Sequence, residues 1–298
     1  MCLSQAIAAA QAGGLDRLDA QLLLLYALGR PAQDRAWLLA HDTDALPAPV
    51  QAAFDTCVQR RLDGEPVAYI TGHKEFFGLD LQVDARVLVP RPDTETLVEW
   101  ALSLLPLPEG SSPLLPAASS PPLPLGEGGG EGKPLRVIDL GTGSGAIALA
   151  LKHTRSDAQV TAVDASADAL VVARANAQRL RLDVAFTQGS WLEGISTQFD
   201  LIVSNPPYIA AQDRHLKDLK HEPLQALASG ADGLDDIRRI ITQARTHLHP
   251  GGWLLLEHGW DQAEAVRALL IDAGFEDVQS RADLAGIERC SGGRTQRS

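Results

Sequence analysis

The segment Leu135-Arg136-Val137-Ile138-Asp139-Leu140 passes directly into Gly141-Thr142-Gly143-Ser144-Gly145, and then into the apolar stretch Ala146 to Leu151. A short, mostly apolar segment of this kind reads as a buried parallel strand, and a helix entered across a glycine loop makes a strand–loop–helix unit. The glycines let the backbone turn sharply and bring main-chain N–H groups close to a ligand at the helix start. The loop alone does not name that ligand. Gly141, Gly143 and Ala146 also satisfy the relaxed dinucleotide fingerprint, so NAD and S-adenosylmethionine (SAM) both remain open. Asp164 ends the apolar run that starts at Gln159, about 20 residues beyond the loop, where a carboxylate would hold the ribose hydroxyls of either cofactor. Its alternative role is to cap a helix over Ala167 to Leu180.

A second motif separates the two cofactors. The run Phe199 to Ser204 ends in Asn205-Pro206-Pro207-Tyr208. An amide or base NH2 group shares its lone pair with a neighbouring π-system, so a site that makes it attack needs two fixed acceptors for its N–H groups. Asn205 offers a side-chain oxygen and Pro206 a main-chain carbonyl, held extended because Pro207 follows. Tyr208 can lie against the flat face of the group. The same residues also suit a plain strand-ending turn. NAD gives no reason for this tetrapeptide, whereas a methyl donor does. Amino-group methylation is the expected chemistry.

Charge bears on the substrate. The formal net charge is −12 over 298 residues. An enzyme acting on nucleic acid needs a basic track for phosphates. The N-terminal part does not supply one: Arg17, Arg30, Arg35, Arg60 and Arg61 are outnumbered by Asp16, Asp19, Asp34, Asp42, Asp44, Asp55, Asp63 and Glu65. Nucleic acid is therefore the less favoured partner. Cys2, Cys57 and Cys290 have no paired or zinc-type spacing and suit a reducing cytoplasm. The dispersed histidines suggest no metal. Neither a cleavable leader nor a membrane span is expected.

Three regions are expected along the chain. Residues 1–66 carry helical spacing, with Leu15, Leu18, Leu22, Leu25 and Tyr26 on one face, and form a small helical bundle for substrate recognition. Residues 67–92 break into β-like pieces (Val67 to Ile70, Phe76-Phe77, Leu79 to Val83 and Val87 to Val89) and read as a β-hairpin connector. Residues 93–298 alternate strands near 135–140, 159–163, 183–187, 199–204, 251–257 and 275–280 with helices, giving an α/β, doubly wound, mostly parallel sheet of the Rossmann-like kind. The Pro- and Gly-rich stretch 106–133 is expected to be a disordered insertion.

The motifs resemble one family over nearly the whole chain. Pro66 to Gly72, Thr71 to Phe77, Pro90-Arg91-Pro92-Asp93-Thr94-Glu95, Asp139 to Gly145, Ser204 to Ile209, Glu222-Pro223 and Leu255 to Gly259 occur in the order of the PrmC/HemK protein-(glutamine-N5) methyltransferases. The resemblance implies a SAM-dependent enzyme that methylates the glutamine in the Gly-Gly-Gln loop of bacterial peptide chain release factors. It implies a cofactor site of Gly141, Thr142, Gly143, Ser144, Gly145, Asp164, Trp191 and Asn205, with Trp191 beside the adenine ring. Asn205, Pro206, Pro207 and Tyr208 would hold the substrate amide, with Asn205, Pro206 and Tyr208 catalytic. Arg91 would approach the methionine end of the donor or form a helix-start turn. Two departures are visible: Ser190 stands where relatives often carry aspartate, and the 106–133 stretch replaces a short loop. The chain is expected to act as a cytoplasmic monomer. The alternatives are a nucleic-acid amino-methyltransferase and a non-catalytic SAM- or NAD-binding regulator.

Overall fold

The structure is a computed structural model that describes residues 1–106 and 134–297. The expected insertion falls, from residue 107 on, outside the described residues.

Helices α1 (Leu3–Ala12), α2 (Arg17–Ala27), α3 (Arg35–Ala40) and α4 (Ala48–Leu62) come first. Asp16 starts α2 by accepting from the Leu18 N–H, and a proline in the first turn of α4 has no N–H to leave unsatisfied. Leu3, Leu15, Leu23, Leu24, Leu25, Leu38 and Phe54 close a separate apolar core. Burying each such side chain contributes about 1.5–3 kcal/mol.

Val67–Thr71 is a helix, α5, where the apolar run suggested a strand. The N–H groups of Tyr69 and Ile70 donate to the Pro66 carbonyl, and Gly72 ends the turn in the left-handed region. Four apolar residues cannot distinguish the two states by periodicity, and packing decides. Ile70 joins the N-terminal core, while Ala68 and Tyr69 turn towards Val83, Val87, Val89, Ala169 and Val172. Val87 to Val89 is likewise not a strand, because the Val87 N–H closes a turn onto Asp84 and the Val89 N–H goes to a side chain, Glu222. The hairpin itself is β1 (His73–Phe76) and β2 (Leu79–Gln82).

Helix α6 (Thr94–Leu104) precedes the main sheet. The sheet is built from β3 (Arg136–Leu140), β4 (Gln159–Asp164), β5 (Ala185–Gln188), β6 (Phe199–Ser204), β7 (Leu248–Glu257), β8 (Glu276–Ala282) and β9 (Glu288–Arg294). Helices α7 (Ala146–Thr154), α8 (Ala167–Leu180), α9 (Asp235–His247) and α10 (Ala263–Asp272) connect them. The strand order is β5-β4-β3-β6-β7-β9-β8, parallel through β7 and antiparallel at β9. One apolar layer, with Leu97, Val98, Leu149 and Leu151, covers one face; a second, with Ile237, Ile240, Ile241 and Val266, covers the other. This is the doubly wound, mostly parallel architecture.

Strand β9 was not expected, because Cys290-Ser291-Gly292-Gly293 has little β propensity. A side chain is excluded there: a Cβ on Gly292 would lie 2.5 Å from the Leu254 carbonyl oxygen and 3.0 Å from the Trp100 ring. Close approach, not propensity, makes the strand.

Candidate active site

Strand order places the site. Chain progression reverses between β3 and β6, so the carboxyl ends of β4, β3 and β6 open on one crevice, the usual ligand position of such sheets. Asp164, the glycine loop and Asn205 each follow one of these strands.

The loop is tied down from below. Asp139, fully buried at the end of β3, accepts from the Thr142 hydroxyl at 2.6 Å and from the Ala148 N–H at 3.2 Å. Burial pushes its carboxyl up to about 7. Gly143 has a φ of 56°, and a Cβ built there meets nothing within 4 Å. Its open side therefore leaves the backbone free to be approached. Asp164 accepts from the Gly143 N–H at 2.8 Å and from the Ser166 N–H at 2.9 Å. Burial pushes its carboxyl up, against those two N–H groups. A carboxylate has about four acceptor sites, so two remain for hydroxyls. The helix-cap alternative for Asp164 does not hold, because Ser166 caps α8 through the Ala169 N–H at 3.2 Å.

Trp191 sits in a left-handed conformation, φ 54°, with its ring 3.2 Å from the position a Gly141 Cβ would take. The indole thus lies against the glycine loop. Ser190 is half-buried beside it, and its carbonyl accepts from the Glu193 N–H.

On the other side, Asn205 donates from Nδ2 to the Thr94 hydroxyl at 3.1 Å, which leaves Oδ1 as the end with lone pairs to offer. Pro206 is buried and Pro207 half-buried. The Tyr208 hydroxyl lies 3.4 Å from Oε1 of the buried Glu257, and burial pushes its pKa up. The Tyr208 carbonyl accepts from Gln262 Nε2 at 3.0 Å, while Gln262 Oε1 accepts from the Gly259 N–H at 2.8 Å. Asn205 and Tyr208 line a pocket of about 100 Å³ with Leu88, Arg91, Ile209, Leu219, Ala226 and Leu227. Arg91 is paired with Glu222, whose Oε2 also accepts from the Val89 N–H at 3.1 Å. The Thr94 N–H closes a turn onto the Arg91 carbonyl, so Arg91 lies both in the helix-start turn and on the pocket wall.

Sequence reasoning had not singled out Thr94, Glu257, Gln262 or Asn176, a buried residue of α8 whose side-chain amide bonds the main chain of Gln82 and the Ser144 carbonyl of the glycine loop. Glu257 carried a readable signal, an acid ending the apolar run Leu254 to Leu256. The others act by hydrogen bonds across long sequence separations, which no local pattern reports.

A methyl-transfer class follows from this arrangement, with an open glycine loop and a strand-end carboxylate on one side of the switch point and an oriented carboxamide on the other. The family model "Methyltransferase small domain" matches residues 131–279, and "PrmC N-terminal domain" matches 2–72. The release factor glutamine methyltransferase of Bordetella pertussis (strain Tohama I) is 49% identical over 284 residues, covering 94% of this chain and 95% of its own. Those of Xylella fastidiosa (strain Temecula1) and Escherichia coli (strain K12) are 45% and 42% identical, covering 97% and 98% of this chain and 97% of their own in each case. The chain belongs to the release factor glutamine methyltransferase family. Among solved structures, a methyltransferase from Pyrococcus furiosus (TM-score 0.51, 19% identity, 80% of this chain and 97% of that one) shares the fold. So does the hMettl16 catalytic domain in complex with a MAT2A 3'UTR hairpin (TM-score 0.53, 16% identity, 84% of each chain).

Proposed function

We propose that this protein transfers a methyl group from SAM to the side-chain nitrogen (N5) of the glutamine in the Gly-Gly-Gln motif of bacterial peptide chain release factors. Relatives with that name at 42–49% identity over nearly the full length support the substrate. The observation that carries the chemistry is the Asn205 amide, tied at Nδ2 to Thr94 so that Oδ1 is free for a ligand N–H.

The chain's residues fit the cofactor. The 141–145 loop offers an open backbone at Gly143, Asp164 keeps two acceptor sites for ribose hydroxyls, and Trp191 offers an apolar face for the adenine. Thr142 and Ser144, both buried, shape the loop from inside, and Gly141 and Gly145 complete its turn. When bound, SAM supplies an electrophilic methyl carbon.

The protein then has to align a poor nucleophile. Holding two reactants in attack geometry supplies about 7–11 kcal/mol, more than any single hydrogen bond. Asn205 Oδ1 and the Pro206 carbonyl accept the two N–H groups of the glutamine amide, and Pro207 and Tyr208 bound its flat face. As the nitrogen attacks, its hydrogens become more acidic, so both acceptors bind the transition state better than the ground state. No general base is required, because the methylated nitrogen is a strong acid that gives its proton to solvent or a neighbouring carbonyl.

The protein works in the cytoplasm, where its three unpaired cysteines suit a reducing environment, and it acts as a monomer. No described helix is long and apolar enough to cross a membrane. Replacing Asn205 by Ala tests the reading: SAM binding should persist while single-turnover transfer to release factor falls by about 10²-fold or more. Near-normal transfer would contradict it.

A further inference from the structure

Gln262 holds the Tyr208 carbonyl, and Gln262 must itself be held the right way round. An amide side chain accepts at one end and donates at the other, so its partners set its orientation. The Gly259 N–H can only donate and takes Oε1 at 2.8 Å, which leaves Nε2 for the Tyr208 carbonyl at 3.0 Å and the Asp232 carbonyl at 3.3 Å. The turn at Gly259 is therefore the reference for the Asn205–Tyr208 turn.

A chain of hydrogen bonds runs from Gly259 away from the site. His258, which follows β7 and is fully buried, has Nδ1 2.9 Å from the Gly259 carbonyl and Nε2 2.8 Å from Oγ of Ser291 on β9, also fully buried. Ser291 Oγ is 2.7 Å from Oγ of Ser280 on β8, which accepts from Nη1 of Arg267 on α10 at 2.6 Å. Arg267 is partly exposed, and the same Nη1 also donates to Glu288 at 2.9 Å. Gln262 immediately precedes α10, so the chain closes a ring from Gly259 round to the helix that Gln262 starts. We propose that His258, held by Ser291, Ser280 and Arg267, is a positioning residue for methyl transfer, fixing the Gly259 turn that orients Gln262 and, through Gln262, the Asn205–Tyr208 turn; this rests on the reading of that turn as the holder of the substrate amide.

The physical reason is one of direction. An imidazole nitrogen and a hydroxyl can each donate or accept, so the three middle members set no direction of their own. The two ends do. The Gly259 carbonyl can only accept, so His258 carries its proton on Nδ1 and leaves Nε2 as an acceptor. Arg267 can only donate, so Ser280 accepts from it and passes its own proton to Ser291, which donates to Nε2. One ordering satisfies every group. A doubly protonated ring would reverse the two serines and aim the Ser280 proton at a guanidinium. Burial pushes the His258 pKa down, in keeping with a neutral ring.

Loss of the Ser291 donor frees the ring to take its other tautomer, whose bare Nδ1 faces the Gly259 carbonyl, acceptor against acceptor. The Gly259 turn then loses its hold. His258, Ser291, Ser280 and Arg267 do not line the pocket beside Asn205 and Tyr208, so they act on transfer only through Gln262.

Two measurements on the full chain test this. Nitrogen NMR of the imidazoles at neutral pH, with His258 assigned by the signal lost in H258Q, should show its ring protonated at Nδ1 alone; protonation at Nε2, or at both nitrogens, would overturn the proposal. Single-turnover transfer to release factor is then compared in S291A, Q262A, the S291A/Q262A pair and N205A, with affinities for SAM and release factor by calorimetry. S291A should slow transfer about three- to tenfold with both affinities unchanged, because a small misplacement of reacting groups costs rate rather than binding. In the Q262A background S291A should cost nothing further, as residues acting in one chain are non-additive. A wild-type rate in S291A or in Q262A, or losses that multiply in the pair, would overturn the proposal. Should S291A fold poorly, S280A, one bond further out, takes its place in both comparisons. If N205A is inactive while S291A keeps the wild-type rate, only the positioning role fails. If N205A retains full activity, the reading of the turn fails and the positioning role with it.

Discussion

Asn176 pairs its side chain with both main-chain groups of Gln82, accepting from the N–H at 2.8 Å and donating to the carbonyl at 2.9 Å, as a neighbouring strand would. Its Nδ2 also donates to the Ser144 carbonyl at 3.0 Å, so one fully buried amide on α8 joins the hairpin to the glycine loop. Asn176→Ala leaves three main-chain groups without this partner. It should lower unfolding free energy by about 2–4 kcal/mol in a denaturant titration and weaken SAM binding measured alongside. Unchanged values for both would show that the hairpin and loop are held by other contacts.

Asp164 accepts from the loop at Gly143 and from Ser166, and in the proposed complex also from the ribose. Asp164→Ala should weaken SAM affinity by at least about tenfold, since hydrogen bonds to a charged group contribute roughly 1.5–3 kcal/mol. Calorimetry giving the wild-type affinity would remove Asp164 from the cofactor site.

The buried Asp139 sets a pH dependence. Its carboxyl is raised to about 7 by burial, so the folded state holds a proton that the unfolded chain gives up near its ordinary value, about 4. The stability this contributes is complete below about pH 4 and is lost as pH rises through about 7. Glu257 acts with the same sign. Asp139→Asn should flatten the fall in stability over that window, as followed by thermal melts at a series of pH values. An unaltered slope would mean that Asp139 is ionised throughout.

Gln262 spans two turns: Nε2 donates to the Tyr208 carbonyl and Oε1 accepts from the Gly259 N–H. Gln262→Ala frees the chain just after the two prolines, and a small misplacement there should cut turnover by about tenfold or more while leaving SAM affinity intact. Equal turnover would show that the prolines hold Asn205 without help.

The sheet was legible in sequence wherever burial on two faces made long apolar runs, as in β3 and β6, because such strands carry their environment in their composition. The glycine loop and the Asn-Pro-Pro turn were legible for a related reason, since few other residues can make those backbones. Val67 to Ile70 misled because four apolar residues show no periodicity and contact with two cores chose the helix over the β preference of Val67 and Ile70. β9 was hidden because its glycines serve a close approach to β7 that no periodicity marks. In the site, Asp164 and Asn205 were readable at strand ends. Thr94, Gln262 and Asn176 were not, because each acts through a partner more than 50 residues away.

The central claim is that the 205–208 turn presents a glutamine amide to a methyl donor. Mass spectrometry of a bacterial release factor incubated with this protein and SAM tests it most directly. The account predicts one added methyl group, on the glutamine of the Gly-Gly-Gln loop, in the wild-type reaction and almost none with Asn205→Ala. A methyl group on another residue, or an unmodified release factor beside methylated nucleic acid, would contradict it.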